Sequence, residues 1–256
     1  MHDQSKTTVL AVDIGNSSVS AALICGNRVR RSSRLLTSAG VKSITAVLRK
    51  VTAGQRAELA AISTVVPRVL YKWMKETRKF AVTEPISVHH NLRLGLRLDY
   101  PRPQTLGADR LANAVAANHY FGAPAIVIDC GTATTVDLID TRHGFQGGII
   151  LPGPPLFLTY LHEHTAMLPS IDLPHRAPLV KIGKNTEAAM RLGAWLGYRG
   201  MLRESVAALQ STLRRTAPVI VTGGYARRIM RGSGIPTHTD EFLTLRGIAL
   251  LALMNK

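Results

Sequence analysis

An α/β fold built from two equivalent halves is what this sequence predicts, on three observations. Residues 8–20, TVLAVDIGNSSVS, and residues 124–136, PAIVIDCGTATTV, carry one pattern twice, about half a chain apart. Each is a β-branched apolar run that ends in Asp-x-Gly, followed by small hydroxyl or amide residues and then more apolar residues. Both copies continue as alternating strands, 19–24 and 136–139, with turn residues after them at Gly26-Asn27 and Arg142-His143-Gly144. Elsewhere strands alternate with helical segments, which is α/β layering. With 256 residues, 46% of them hydrophobic and 19% charged, the chain has enough apolar surface to bury for a core in each half. The expected boundary separates 1–121 from 122–256.

The elements follow in order. Apolar residues at helical spacing predict a helix over 43–51, and the apolar run 59–66 predicts a buried strand. Residues 68–80 read as a basic amphipathic helix and 86–88 as a short strand. Two prolines fix 99–103 as a loop. Residues 106–121, LGADRLANAVAANHYF, are rich in helix formers and place Leu111, Val115 and Ala116 on one face. One or two long helices are expected over 185–213, then a strand at 219–221, a turn at Thr222-Gly-Gly, and an apolar helix over 246–254. The arginine-rich run Arg28-Val-Arg30-Arg31-Ser-Ser-Arg34 reads as a hairpin end followed by a loop.

Composition narrows the classes of function. Cys25 and Cys130 are far apart and lack metal-ligand spacing, so a disulfide framework and a cysteine-based zinc site are not expected. No stretch reaches the ~18 uninterrupted apolar residues of a membrane span. The N-terminal residues lack a basic region followed by a long apolar run, so no leader and a cytoplasmic location are expected. The net charge of +16 is the extreme value. Most of it is arginine, dispersed along the chain and with few aromatics between, which suits a basic surface that attracts anions better than a nucleic-acid footprint.

A strand that ends in Asp-x-Gly followed by hydroxyl residues offers what nucleotide phosphates need. Glycine lets main-chain N–H groups approach phosphate oxygens. Ser17, Ser18, Thr132, Thr134 and Thr135 add donors without bulk, and Asp13 or Asp129 can hold a cation while phosphates complete its shell. Neither a Walker loop nor a dinucleotide fingerprint is present. Thr222-Gly223-Gly224 could let a flat ring pack on backbone, or be an ordinary strand-to-helix turn. Gly107-Ala-Asp109-Arg110 puts a carboxylate and a guanidinium beside free helix N–H groups. Asp109 there is either a base or a helix-start residue, and Arg110 an anion binder. His162-Glu-His164 lacks a third ligand, His89-His90 suits a solvated loop, and Cys130 suits a small packing residue.

Taken together, these segments resemble the type III pantothenate kinases, members of the actin/hexokinase/sugar-kinase superfold. The resemblance rests on Asp13-Ile-Gly-Asn-Ser, Ser63-Thr-Val-Val-Pro67, Tyr100 before Leu106-Gly-Ala-Asp-Arg110, and Asp129-Cys-Gly-Thr-Ala-Thr-Thr135. It continues collinearly through Gly147-Gly-Ile-Ile-Leu-Pro-Gly153, Thr165-Ala-Met-Leu-Pro169, Gly183-Lys-Asn-Thr186, Thr222-Gly-Gly224 and Leu243-Thr-Leu-Arg-Gly247. It implies duplicated ribonuclease-H-like (actin/hexokinase-like) domains with an ATP cleft between them, and ATP-dependent phosphorylation of pantothenate. By the same resemblance, Asp13, Ile14, Gly15, Asn16, Ser17, Ser18, Val19 and Ser20 bind ATP, with Thr132. Asp109 is the catalytic base. Tyr100, Gly107, Ala108, Asp109, Arg110 and Thr186 contact pantothenate, and Asp129 binds a monovalent cation, K+ or NH4+. Also implied are Mg2+ or another divalent cation with ATP and a homodimer, with no specific nucleic acid and no membrane as partners. Three positions depart from the family pattern. Ser17 stands where Thr is usual, Tyr100-Pro-Arg102-Pro where Asn before the proline is common, and Pro154, which would stiffen its loop, where a small or aliphatic residue is usual. The competing expectation is a catalytically weak homologue with a regulatory or nucleic-acid-associated role, which predicts damaged catalytic motifs.

Overall fold

The computed structural model describes residues 7–173, 176, 178 and 181–256; residues 1–6, on which part of the leader expectation falls, lie outside the described residues. Contacts divide the chain into two units, one of residues 1–122, 143–145 and 242–256, the other of residues 123–142 and 146–241. The chain runs through β1 (Thr8–Ile14), β2 (Ser18–Cys25), β3 (Arg28–Leu36), α1 (Val41–Thr52), β4 (Leu59–Thr64), α2 (Pro67–Arg78) and β5 (Ile86–Ser87). A 3-10 turn (Pro103–Thr105) then leads into α3 (Ala108–Phe121). Next come β6 (Ala125–Cys130), β7 (Ala133–Asp140), β8 (Gly144–Pro152), α4 (Pro154–Glu163) and α5 (Thr186–Ser211). The chain ends with β9 (Val219–Thr222), α6 (Ala226–Met230), β10 (His238–Thr239) and α7 (Leu243–Met254), the last packed into the first unit.

The internal echo is a repeat of topology. The first sheet runs β3-β2-β1-β4-β5 and the second β8-β7-β6-β9-β10 when written the same way round. In both, the strand that opens the unit pairs antiparallel with its successor and parallel with the strand on its other side. Register repeats as well: Asp13 lies opposite Ser20 and Ser63, and Asp129 opposite Thr135 and Thr222.

β1 is apolar on both faces because both are covered. Leu10, Val12 and Ile14 join α1 and α2 in one core cluster, and Val9 and Ala11 join α3 and α7 in another. In the second unit, Ile126, Ile128, Val136 and Val221 pack with Leu158 of α4, Trp195 and Tyr198 of α5, and Ile229 of α6.

Two expectations are corrected. The arginine-rich run is strand β3, at the sheet edge, where pairing with β2 fixes an extended backbone whatever its charge. Pro154 stiffens no loop but opens α4 at the first helical position, where its missing N–H costs nothing and its φ is already helical. The segment expected to hold one or two helices is a single α5, with Asn185 as N-cap accepting a bond from the Ala188 N–H at 2.8 Å. Among the described residues no helix is long and apolar enough to cross a membrane.

Candidate active site

In the first unit, the turn after β1 is closed by its own backbone, the Gly15 N–H donating to the Ser18 carbonyl at 3.0 Å. Thr37, the residue after β3, buttresses it from beyond: its hydroxyl donates to the Gly15 carbonyl at 2.7 Å and its N–H to the Ser17 carbonyl at 3.2 Å. Asn16 and Ser17 are exposed, and Asp13, Ser18 and Ser20 are half-buried. Asp13 and its cross-strand partner Ser63 occupy the sheet face that α3 and α7 cover. The Ser63 hydroxyl is fully buried and has no hydrogen-bond partner among the described residues.

The second unit builds the equivalent turn after β6. Here the Gly131 N–H donates to the Ala133 carbonyl at 3.1 Å, and the Gly153 N–H donates to the Thr132 carbonyl at 2.9 Å, leaving Thr132 exposed. Gly223, at φ +94°, lies so close that a Cβ there would stand 2.5 Å from Asp129 Oδ1 and 2.6 Å from the Cys130 carbonyl. A cradle of carboxylate and carbonyl oxygen is thus kept open by glycine. Beneath the turn, the Tyr198 and Thr134 hydroxyls share a 2.5 Å hydrogen bond in the core. Burial pushes the Cys130 thiol up to about 12, so it stays a neutral packing group.

The Gly107-to-Arg110 segment opens α3. Gly107 is the N-cap and offers no side chain; Asp109 fills that role, its Oδ1 accepting from the Arg110 N–H at 2.8 Å. Glycine is required next to it, since a Cβ on Gly107 would sit 2.5 Å from that same Oδ1. Desolvation raises the Asp109 carboxyl above its ordinary value, and the Arg110 N–H and guanidinium pull only partly the other way. The buried Arg110 guanidinium lies over the Phe145 ring, 5.6 Å from its centroid. Tyr100 packs on the same ring at 5.8 Å. The loop is stitched to Phe145 by main-chain bonds from Phe145 N–H to the Arg97 carbonyl and from Asp99 N–H to the Phe145 carbonyl, each 2.9 Å.

The first unit therefore holds Asp13 to Ser20 and Gly107 to Arg110, and brings Tyr100 and Arg110 together on one aromatic ring; Asp129, Thr132 and Thr186 belong to the second unit. Thr186 is exposed at the first turn of α5. Sequence reasoning missed Phe145, which carries no motif signal of its own. It also missed that Arg34 of β3 reaches the first turn, its Nε and Nη2 donating to the Ser18 hydroxyl at 2.9 and 2.7 Å, because a run read as loop has no register. The minor histidines make local contacts: His162 Nδ1 meets the Leu168 carbonyl at 2.9 Å, and His164 stacks on Tyr160.

Residues 9–208 match the type III pantothenate kinase family profile. The chain is 38% identical over 253 residues to a type III pantothenate kinase of Acidiphilium cryptum, covering 96% of this chain and 94% of that one. Among solved structures it is similar to a Campylobacter jejuni protein described as a Baf family transcriptional activator, at TM-score 0.62 and 18% identity, over 94% of this chain and 96% of that one. It is also similar to the ROK hexokinase of Thermus thermophilus, at TM-score 0.51 and 14% identity, over 96% and 99% of the two chains. At such identities these two likenesses speak for the fold alone.

Proposed function

We propose, from the premise that this chain belongs to the type III pantothenate kinase family, that Asp109 is the base of its reaction. The activity is ATP-dependent phosphorylation of pantothenate to 4'-phosphopantothenate, the first step of coenzyme A biosynthesis. Phosphoryl transfer asks a protein mainly for positioning and charge stabilisation. Asp109 accepts the proton of pantothenate's primary hydroxyl as the bond to phosphorus forms, and Arg110, held against Phe145, takes the substrate's carboxylate or amide oxygens. Tyr100, Gly107, Ala108 and Thr186 complete the pantothenate contacts. The turn from Asp13 to Ser20 binds ATP's phosphates through main-chain N–H groups and hydroxyls, and Thr132 contacts ATP from its own turn.

A kinase of this family uses a divalent cation with ATP, and the hard carboxylate of Asp13 beside a glycine turn suits an ion whose remaining ligands are phosphate and water. Bound there, the ion would neutralise charge developing on the phosphates. The monovalent cation, K+ or NH4+, is assigned to Asp129; the carboxylate and carbonyl cradle against Gly223 supports this. The protein acts as a cytoplasmic homodimer in this reading. The regulatory alternative predicts a damaged site, whereas Asp13, Asp109, Arg110, Asp129 and Thr132 are all present.

The pairing of a carboxylate raised by desolvation with a guanidinium fixed on Phe145, at one helix start, is what carries the mechanism. The test couples ADP release to a spectrophotometric readout, with and without pantothenate, in potassium and then in sodium buffer. ADP release that depends on pantothenate and is faster in potassium is expected. Turnover indifferent to pantothenate would sink the substrate assignment, and turnover indifferent to the cation would sink the role of Asp129 alone.

A further inference from the structure

We propose that Arg34, on β3, is the cation that binds ATP's triphosphate at the first turn; this rests on the assignment of that turn to ATP. Residues 13–20, Asp-Ile-Gly-Asn-Ser-Ser-Val-Ser, include no lysine or arginine, and their one formal charge is the negative Asp13. Main-chain N–H groups and hydroxyls supply dipoles, but a polyanion gains most from a charged donor. Arg34 stands at the right place. Both its Nε and Nη2 donate to the Ser18 hydroxyl, at 2.9 and 2.7 Å. Register puts it on the right face: Asp13 lies opposite Ser20, and Ser20 opposite Arg34, so the three side chains form a row across β1, β2 and β3. Leu35, the next residue, turns to the other face and packs against the core there.

The placement is built in, because the Thr37 bonds to Gly15 and Ser17 tie the end of β3 to the turn. It is also incompletely satisfied. A neutral hydroxyl oxygen takes two N–H groups that a guanidinium fork would otherwise direct at two oxygens of one anion. Among the described residues Arg34 forms no ion pair with a carboxylate. A phosphate arriving at Ser18 meets both groups together.

Arg31 provides the control. It lies opposite Leu23, three residues along the same strand and on the other face, so Arg31→Ala removes the same charge without touching the turn. Wild type, Arg34→Ala, Arg34→Lys and Arg31→Ala are compared for KM of ATP and of pantothenate, for melting temperature, and for calorimetric affinity towards ATP and towards adenosine. A lost charge-assisted hydrogen bond lowers affinity by about 10- to 100-fold. Arg34→Ala should weaken ATP by that factor, with adenosine affinity, pantothenate KM and melting temperature held. Arg34→Lys should recover part of the loss, and Arg31→Ala should behave as wild type. Equal weakening of ATP and adenosine, an unchanged ATP affinity in Arg34→Ala, or the same loss in Arg31→Ala would each overturn the proposal. A wild type that binds ATP in an Arg34-dependent way yet leaves pantothenate unphosphorylated would overturn the substrate assignment and support Arg34.

Discussion

Asp109 serves the start of α3 and, as the proposed base, the reaction with one carboxylate, and the two roles come apart on substitution. Asn keeps the shape and can still accept the Arg110 N–H, so Asp109→Asn should leave ATP affinity nearly unchanged while kcat falls by about 10²–10⁴-fold. Coupled kinetics and a melting curve on one preparation check this. The pH dependence has a definite sign. A base works deprotonated, so wild-type kcat should fall as pH drops through the Asp109 pKa, which desolvation places above the ordinary value of about 4. A folded pKa raised in this way favours the protonated carboxyl, so the contribution to stability is greatest below the unfolded value and declines as pH rises through the folded one. Asn never acquires the charge, so the variant should melt no lower than wild type at neutral pH. Gly107→Ala makes the complementary expectation. Its backbone, at φ −58° and ψ 137°, accepts a side chain, but the new Cβ must displace Asp109 Oδ1. Kinetics should show kcat falling about tenfold or more, since small misplacements of a reacting group are costly, with melting temperature little changed.

At the scale of elements, glycines with the same name carry opposite expectations. Gly247 of α7 faces the backbone of α3, where a Cβ would run into the Ala112 carbonyl and Cα. Gly247→Ala should therefore cost about 1–3 kcal/mol through overpacking. Gly200, inside α5, meets nothing within 4 Å, and Gly200→Ala should gain about 0.5–1 kcal/mol of helix propensity. Urea denaturation of the two variants decides the pair. Elements with apolar periodicity were legible in the sequence: β1, β6 and β9 as buried runs, and α1, α2 and α3 as helices to within a residue or two at most ends. Strand β3 was illegible because its solvated edge carries arginines, and its few apolar residues are the partly buried Val29 and Leu35 and the exposed Leu36. Helix α4 was hidden behind Pro-Gly-Pro-Pro, whose local chemistry reads equally as loop or helix start. The site shows the same division. Motif residues such as Asp13 and Asp109 announce themselves locally, whereas Phe145 enters only through long-range pairing with residues 97–99 and Arg34 only through strand register.

For the whole molecule, the net charge of +16 is a property of the surface more than of any one site. Exposed arginines occur on β3, and further basic residues on α1, α2 and α6. Such dispersed charge predicts weak duplex-DNA binding without sequence preference and with a steep loss on added salt. Fluorescence anisotropy across a salt titration measures it; tight binding to one sequence at physiological salt would restore the regulatory reading.

The first unit is discontinuous: α7, which follows the second unit in sequence, packs beside Leu111 and Val115 of α3 on the sheet face that Val9 and Ala11 offer. On the ribosome that face is made before the second unit and is fully covered only after it. The N-terminal sheet must wait, with α3 but not α7 on that face, while the whole of the second unit is synthesised. Folding of the first-made unit thus waits on synthesis of the second, and a chain that stalls before α7 emerges leaves a sticky, unfinished sheet for chaperones or proteases to find.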